Sequence, residues 1–542
     1  MSPFRLSRRR FLTSASLASA SLAVLPGQTL ADMLPPSRTA GVPVPPGQIE
    51  KAVAALDGIV EDIKTRSGVP GIAVAVIHGG ETVYAKGFGT RGGDQPVTPD
   101  TVFQLASLSK PVGATAVATQ VSRDVVSWDS RMRDLLPWFS LSDHGVTERL
   151  TIGDLYSHRS GLPDHAGDDL EDLGFDRQTI LERLRLLPLE PFRASYAYTN
   201  FGLTAAAEAV AEASDLTWSD LTETALFQPL GMADTSARFA DFMARENRAI
   251  PHARTADGFA ALYQRQPDAQ SPAGGISSSA NDMATWMKMV LAGGGDLMRP
   301  EALRPAISPQ SISSRPHSPD ERASFYGYGF GVGTSPTGRV IISHSGAFLK
   351  GAATYFALIP SLDVGIVVLS NAAPVGAVES IGAHFTDLAQ TGTVTRDWLS
   401  GYEPLFAGFY PPLGKTAGKP FPKAAAPAPA PGYCTGRYGH PYFGTVEVRQ
   451  DDGVLVLSVG PASETFPLLP WDGSMMVFDI NTENLPEGSR SAAVFSGSKS
   501  VSGDKGASGD TGFSGGEARA ETLQIELLVR DGPARFERMQ AS

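Results

Sequence analysis

Between residues 411 and 432 the chain holds seven prolines among alanines, glycines and lysines, and this stretch separates two different hydrophobic rhythms. Proline fixes φ and has no N–H to give, so neither a regular helix nor an inner sheet strand runs through it, and the segment reads as a semi-rigid linker. Beyond it, short runs alternate apolar and polar residues: Val446 to Val448, Val454 to Val459, Phe466 to Leu468, Met476 to Ile480, Leu523 to Val529 and Phe536 to Met539. These six runs predict a small all-β barrel or sandwich over 433–542, interrupted by a flexible Gly/Ser insertion at 496–516.

Ahead of the linker the period changes from segment to segment, which predicts α+β. Ile49, Val53, Leu56, Val60 and Ile63 keep a 4, 3, 4, 3 spacing, so an amphipathic helix is expected from Gln48 to about Arg66, ended by Gly68 and Pro70. Gly71 to Ile77 and Glu81 to Gly89 flank the turn His78-Gly79-Gly80 as a β-hairpin. Val112 to Val121 is Ala, Val, Gly and Thr nearly all round, the composition of a helix buried on most sides. Thr151 caps a short helix expected to stop at Gly161, and helices follow over Leu203 to Ala213, Trp218 to Leu226 and, capped by Ser279 with Asp282, up to Leu291. Val340 to His344, Thr354 to Ile359 and Val364 to Leu369 predict successive antiparallel strands, and the alternating Gly327, Gly329, Gly331 and Gly333 a close-packed one. The expected organisation is an N-terminal segment 1–31, a Pro-rich linker 32–47, an antiparallel sheet flanked by helices with a helical subdomain over 48–395, a linker 396–432 rich in Pro and Ala toward its end, and the β unit 433–542.

The formal charge is −12, and −16 without the four arginines of the first 31 residues, which contain no acid. That balance argues against nucleic acid or an anionic membrane surface as a partner. The single cysteine, Cys434, excludes an intrachain disulfide and a cysteine-based zinc site, and reads as a small buried hydrophobe. His158 and His165 could suggest a metal, but the residues around them do not complete a recognisable ligand motif, so neither metal nor cofactor is expected. Ser7-Arg8-Arg9-Arg10-Phe11-Leu12 and the Leu/Ala/Ser stretch to Leu25 are similar to a twin-arginine export signal with a cleavage point after Ala31. That similarity implies a periplasmic or secreted protein. No later run reaches the roughly 18 apolar residues a membrane span needs.

Ser107 and Lys110 lie three apart on a helix expected to begin near Ala106, which places a hydroxyl and an amine on one face. A desolvated lysine with a depressed pKa can take the proton that makes serine a nucleophile. The same spacing recurs at Ser496 to Lys499 and Ser502 to Lys505 inside the Gly/Ser tract, so it identifies nothing alone. Acyl transfer also needs a proton shuttle to the leaving atom and donors for the oxyanion. Tyr198-Thr199-Asn200 is the only Y-x-N among thirteen tyrosines, and His344-Ser345-Gly346 is the one of three H-x-G matches that follows a strand late in the unit.

In this order and spacing, Ser107-x-x-Lys110, Tyr198-x-Asn200 and His344-x-Gly346 resemble the three motifs of serine hydrolases related to class C β-lactamases, D-aminopeptidases and penicillin-binding D,D-peptidases. Thr151-Ile to Ser160-Gly-Leu-Pro163, Pro229-Leu-Gly-Met232, Ala273-Gly-Gly-Ile276 and Val368-Leu-Ser-Asn371 extend the likeness across about residues 48 to 390. The β unit resembles lipocalin-like domains appended to some of these hydrolases. The resemblance implies a β-lactamase-like fold and an acyl-enzyme on Ser107, with Lys110 and Tyr198 sharing the proton transfers and either of them as base. It implies that Asn200 orients the substrate amide or Lys110, that the N–H groups of Ser107 and Ala347 form the oxyanion hole, and that Tyr198 activates the deacylating water. The third motif departs from the usual Lys-Thr-Gly. A histidine offers a weaker anchor for a substrate carboxylate, which favours a small-molecule or peptide substrate, an ester, amide or peptide recognised otherwise, over penicillins and D-Ala-D-Ala peptides. β-Lactamase or D,D-carboxypeptidase activity is the alternative, as is a sensor that acylates without turnover or a lectin-like use of the β unit.

Overall fold

The computed structural model describes residues 38–497, 519–528 and 534–540. The expected export signal and most of the Gly/Ser insertion lie outside the described residues. The hairpin Gly71–His78 and Glu81–Gly92 forms as the sequence predicts, with a bulge between Val76 and Ile77. It joins a nine-stranded antiparallel sheet through Val364–Ser370, which pairs with the first strand from Ile72 to His78. Ala352–Ile359, Val340–Phe348, Gly331–Thr334, Ser324–Tyr326 and Ser311–Ser314 continue the sheet in that order.

Alternation along the central strands gives the sheet two buried faces. Ile72, Val74, Val76, Ile366 and Val368 point to one side, where they meet the N-terminal helices and the helix Ala377–Thr391. Ala73, Ala75, Ile77, Val367 and Leu369 point to the other, against the helices Ser109–Ser122 and Ala280–Leu291. The N-terminal amphipathic segment forms two helices, Gln48–Ala54 and Leu56–Ser67, broken for one residue at Ala55; Ile49, Leu56, Val60 and Ile63 are buried as their spacing requires. The helix capped by Thr151 ends at Tyr156, ahead of the expected Gly161, because His158 turns left-handed at φ 55°. The glycine run is a strand only over Gly331–Thr334. Gly329, at φ 80°, lies where a Cβ would come within 2.7 Å of the Lys110 carbonyl, so absence of a side chain lets this segment pack on the first turn of the Ser109–Ser122 helix.

The stretch expected as linker from 396 opens with a helix, Trp398–Ala407, packed on Ala377–Thr391. The β unit is a closed eight-stranded antiparallel barrel, which resolves the choice between barrel and sandwich. Two of its strands, Gly436–His440 and Arg490–Ser496, were not among the six alternating runs. Among the described residues no helix is long and apolar enough to cross a membrane.

Candidate active site

Ser107 stands in a single 3-10 turn, Ala106–Leu108, that leads directly into the helix Ser109–Ser122. Ala106 before it has φ 48°, a left-handed conformation that a residue with a Cβ adopts at a cost. Lys110 is fully buried, and its amine reaches Ser107 Oγ at 3.1 Å, Asn200 Oδ1 at 2.7 Å and the Ala273 carbonyl at 3.0 Å. Three acceptors match the three protons of an ammonium. Burial nevertheless penalises the charge and draws Lys110 down to about 7, against an opposing pull from Asp168.

Tyr198 approaches the same Ser107 oxygen from the other side, its hydroxyl at 2.8 Å, with the Lys110 amine 4.5 Å from the centre of its ring. Burial raises this phenol well above its ordinary value. Asn200 begins the helix Asn200–Ala213 and is oriented from behind: its Nδ2 donates to Asp168 Oδ1 at 3.1 Å and Oδ2 at 3.0 Å, leaving Oδ1 to accept from Lys110. His165 Nδ1 lies 2.7 Å from Asp168 Oδ2, and this partly exposed ring ends the file behind the amine.

His344 lies on the strand Val340–Phe348 with its ring 6.5 Å from that of Tyr198. Its Nδ1 is 2.6 Å from the Ser345 carbonyl and so carries the proton, while Nε2, 2.8 Å from the Tyr326 hydroxyl, accepts one. Burial and the neighbouring Lys110 push His344 down to about 3, which leaves the ring neutral. Gly346 presses on the nucleophile's turn: a Cβ there would lie 2.4 Å from Thr354 Oγ1, 2.5 Å from the Leu105 carbonyl and 2.9 Å from the Ser107 nitrogen. The strand thereby carries Ala347 past the Ser107 backbone.

The six separated motif positions thus converge on one place, and Ala347 follows Gly346 on the same strand. Sequence reading missed Asp168, Tyr326 and the Ala273 carbonyl. Asp168 stands in the acidic run Asp168-Asp169-Leu170-Glu171-Asp172, which carries no spacing signal, and a backbone acceptor has none by nature. His158 is a packing residue: its Nδ1 accepts from the Thr199 N–H at 3.2 Å within a cluster of Tyr196, Tyr198 and Tyr326.

Residues 56–390, more than half of the chain, match the family model described as Beta-lactamase. An unguisins hydrolase from Aspergillus campestris is 26% identical over 430 residues, spanning 76% of this chain and 80% of that protein. A D-aminopeptidase from Gluconobacter oxydans is 25% identical over 356 residues, 61% of this chain and 62% of that one. Among solved structures, an octameric penicillin-binding protein homologue from Pyrococcus abyssi has the same fold, with a TM-score of 0.57 at 20% identity over 89% of this chain and 99% of that one. The chain belongs to the Beta-lactamase family of serine hydrolases.

Proposed function

We propose that the protein is an exported hydrolase that cleaves an ester, amide or peptide bond lacking a neighbouring free carboxylate, through an acyl-enzyme on Ser107. The observation that carries this reading is the meeting of Lys110 and Tyr198 at one serine oxygen, with the lysine drawn into the neutral pH range. In acylation, neutral Lys110 takes the Ser107 proton as Oγ bonds to the substrate carbonyl carbon. The resulting oxyanion is held by the N–H groups of Ser107 and Ala347. Collapse breaks the bond to the leaving atom, which receives a proton from Tyr198, and the lysine proton returns to the phenolate. A water then repeats the sequence on the ester: its proton goes to Lys110 as it adds to the carbonyl carbon, Ser107 Oγ leaves with a proton from Tyr198, and the lysine proton returns to the phenolate. The elevated phenol supports Tyr198 as the acid and Lys110 as the base.

Substrate choice is inferred from the neutral third motif. His344 spends both ring nitrogens on Tyr326 and its own strand, so it brings no cation to a substrate carboxylate. Export rests on the twin-arginine pattern around Arg8, Arg9 and Arg10. The test is a screen of the purified protein against p-nitrophenyl esters, D-amino-acid amides and a chromogenic cephalosporin, with a fluorophosphonate as active-site label. Ester or amide turnover should exceed cephalosporin turnover, and Ser107→Ala should lose label and lower turnover by about a thousandfold or more. Dominant cephalosporin turnover would reverse the substrate assignment, and undiminished turnover in Ser107→Ala would end the mechanism.

A further inference from the structure

On the sheet face away from Ser107, directly behind the His344 strand, a groove of about 450 Å³ opens between the sheet and the helices Ala377–Thr391 and Trp398–Ala407. Ser345 and Tyr355 face it from paired positions on neighbouring strands. Tyr402, Phe406 and Phe409 form its outer wall; the Phe406 ring stands 6.4 Å from Tyr402 and 5.7 Å from Phe409, edge to face. Glu379 lies in the wall at 6% exposure. One carboxylate oxygen accepts from Ser345 Oγ at 2.5 Å, and the other, Oε2, has no hydrogen-bond partner.

Such a carboxylate is costly where it stands. No lysine or arginine lines the groove, and burial pushes Glu379 up to about 7, as it does for an acid that lacks a counter-ion. The proposed catalytic steps do not use it. A buried acceptor without a cation, walled by aromatic rings, has the chemistry that recognises an alkylated ammonium: charge for the carboxylate, methyl groups for the ring faces. A bare inorganic cation would leave the rings unused, and a neutral apolar ligand would leave Oε2 unsatisfied.

We propose that this groove is a binding site for a small organic cation, an ammonium bearing alkyl groups, with Glu379 as its counter-ion and Tyr402, Phe406 and Phe409 as its apolar enclosure. The groove shares the His344 strand with the Ser107 cleft but opens on the other sheet face, and it does not depend on which bond that cleft hydrolyses.

Calorimetric titration of the full chain with choline, and with 3,3-dimethylbutan-1-ol as its uncharged isostere, tests this. Choline should fill one site, the alcohol should bind at least about tenfold more weakly, and Glu379→Gln should weaken choline by a similar factor. Phe409 is half exposed, so Phe409→Ala provides a second variant with little bearing on folding, and it too should weaken choline. Blocking Ser107 with a fluorophosphonate should leave choline affinity unchanged. Equal affinity for the alcohol, undiminished binding in either variant, absence of saturable choline binding, or its loss on blocking Ser107 would each overturn the proposal.

Discussion

At the scale of single residues, Lys110 sets the pH at which Ser107 can attack. Only the neutral amine accepts a proton, and burial has drawn its pKa from the usual lysine range to about 7. With kcat/KM followed on a p-nitrophenyl ester from pH 5 to 9, activity should therefore climb through an acid limb near 7. Asp168 opposes the burial effect, since its carboxylate favours the ammonium. Asp168→Asn should then move the limb to lower pH while reducing the plateau about tenfold, because Asn200 loses a charge-assisted acceptor. A merely structural Asp168 would leave the limb in place. His344 governs selection in the same local way. Replacing its neutral ring in His344→Lys supplies a cation, and the ratio of cephalosporin to ester turnover should rise by about tenfold, the scale of one added charge-assisted contact. An unchanged ratio would show that carboxylate recognition is decided elsewhere.

Among the elements, the strand Val340–Phe348 is held against the nucleophile's turn by the bare backbone of Gly346. In Gly346→Ala the new methyl would meet the Leu105 carbonyl and the Ser107 nitrogen, neither of which can swing aside as a flexible side chain would. The strand must retreat, at a cost of about 1–3 kcal/mol, and acylation should slow far more than an unfolding midpoint in urea suggests. Parallel losses in both would indicate simple destabilisation. Legibility followed the same local physics. The hairpin, the buried helix and the last three strands declared themselves by local composition: compact β-branched runs between turn residues, and Ala, Val, Gly and Thr nearly all round from Val112 to Val121. The strand Gly436–His440 was illegible, having two glycines and a single buried aromatic, Tyr438, in place of alternating β-branched residues. Helix Trp398–Ala407 was hidden by Gly401 and Pro404, and it is held by packing on Ala377–Thr391. For the site, donors and acceptors embedded in motifs were visible, whereas Asp168 and Tyr326 act by long-range approach that no spacing encodes.

Across the whole molecule, the barrel grips the hydrolase unit at the elements nearest the chemistry. Tyr442 donates to Asp169 at 2.8 Å, Asn484 to Asp172 at 3.0 Å, and Glu483 accepts from the Leu349 N–H, two residues beyond Ala347. Asp169 and Asp172 belong to the short helix Asp168–Asp172 that also anchors Asn200. This seam is overloaded with acid. Asp169, Glu171 and Glu483 are each pushed up to about 7 by burial, with Arg265 and Lys350 as the cations facing them and Asp172 as a further carboxylate. Between the ordinary carboxyl range and about 7 these three groups therefore hold more protons in the folded chain than in the unfolded one. Their contribution to stability must fall as pH rises through that window and level off above it, with a slope of at most about 1.4 kcal/mol per pH unit for each group. The groups titrate as a coupled set, so the window belongs to the seam and not to any one carboxyl. Glu483→Gln keeps an oxygen that can accept from Leu349 and removes one proton from the balance. Urea unfolding at pH 5 and pH 8 should find this variant gaining on the parent by on the order of 1 kcal/mol at the higher pH. Curves that fall in parallel would mean that Glu483 is already ionised and paired at pH 5, and that the barrel is held without the strain of buried acid.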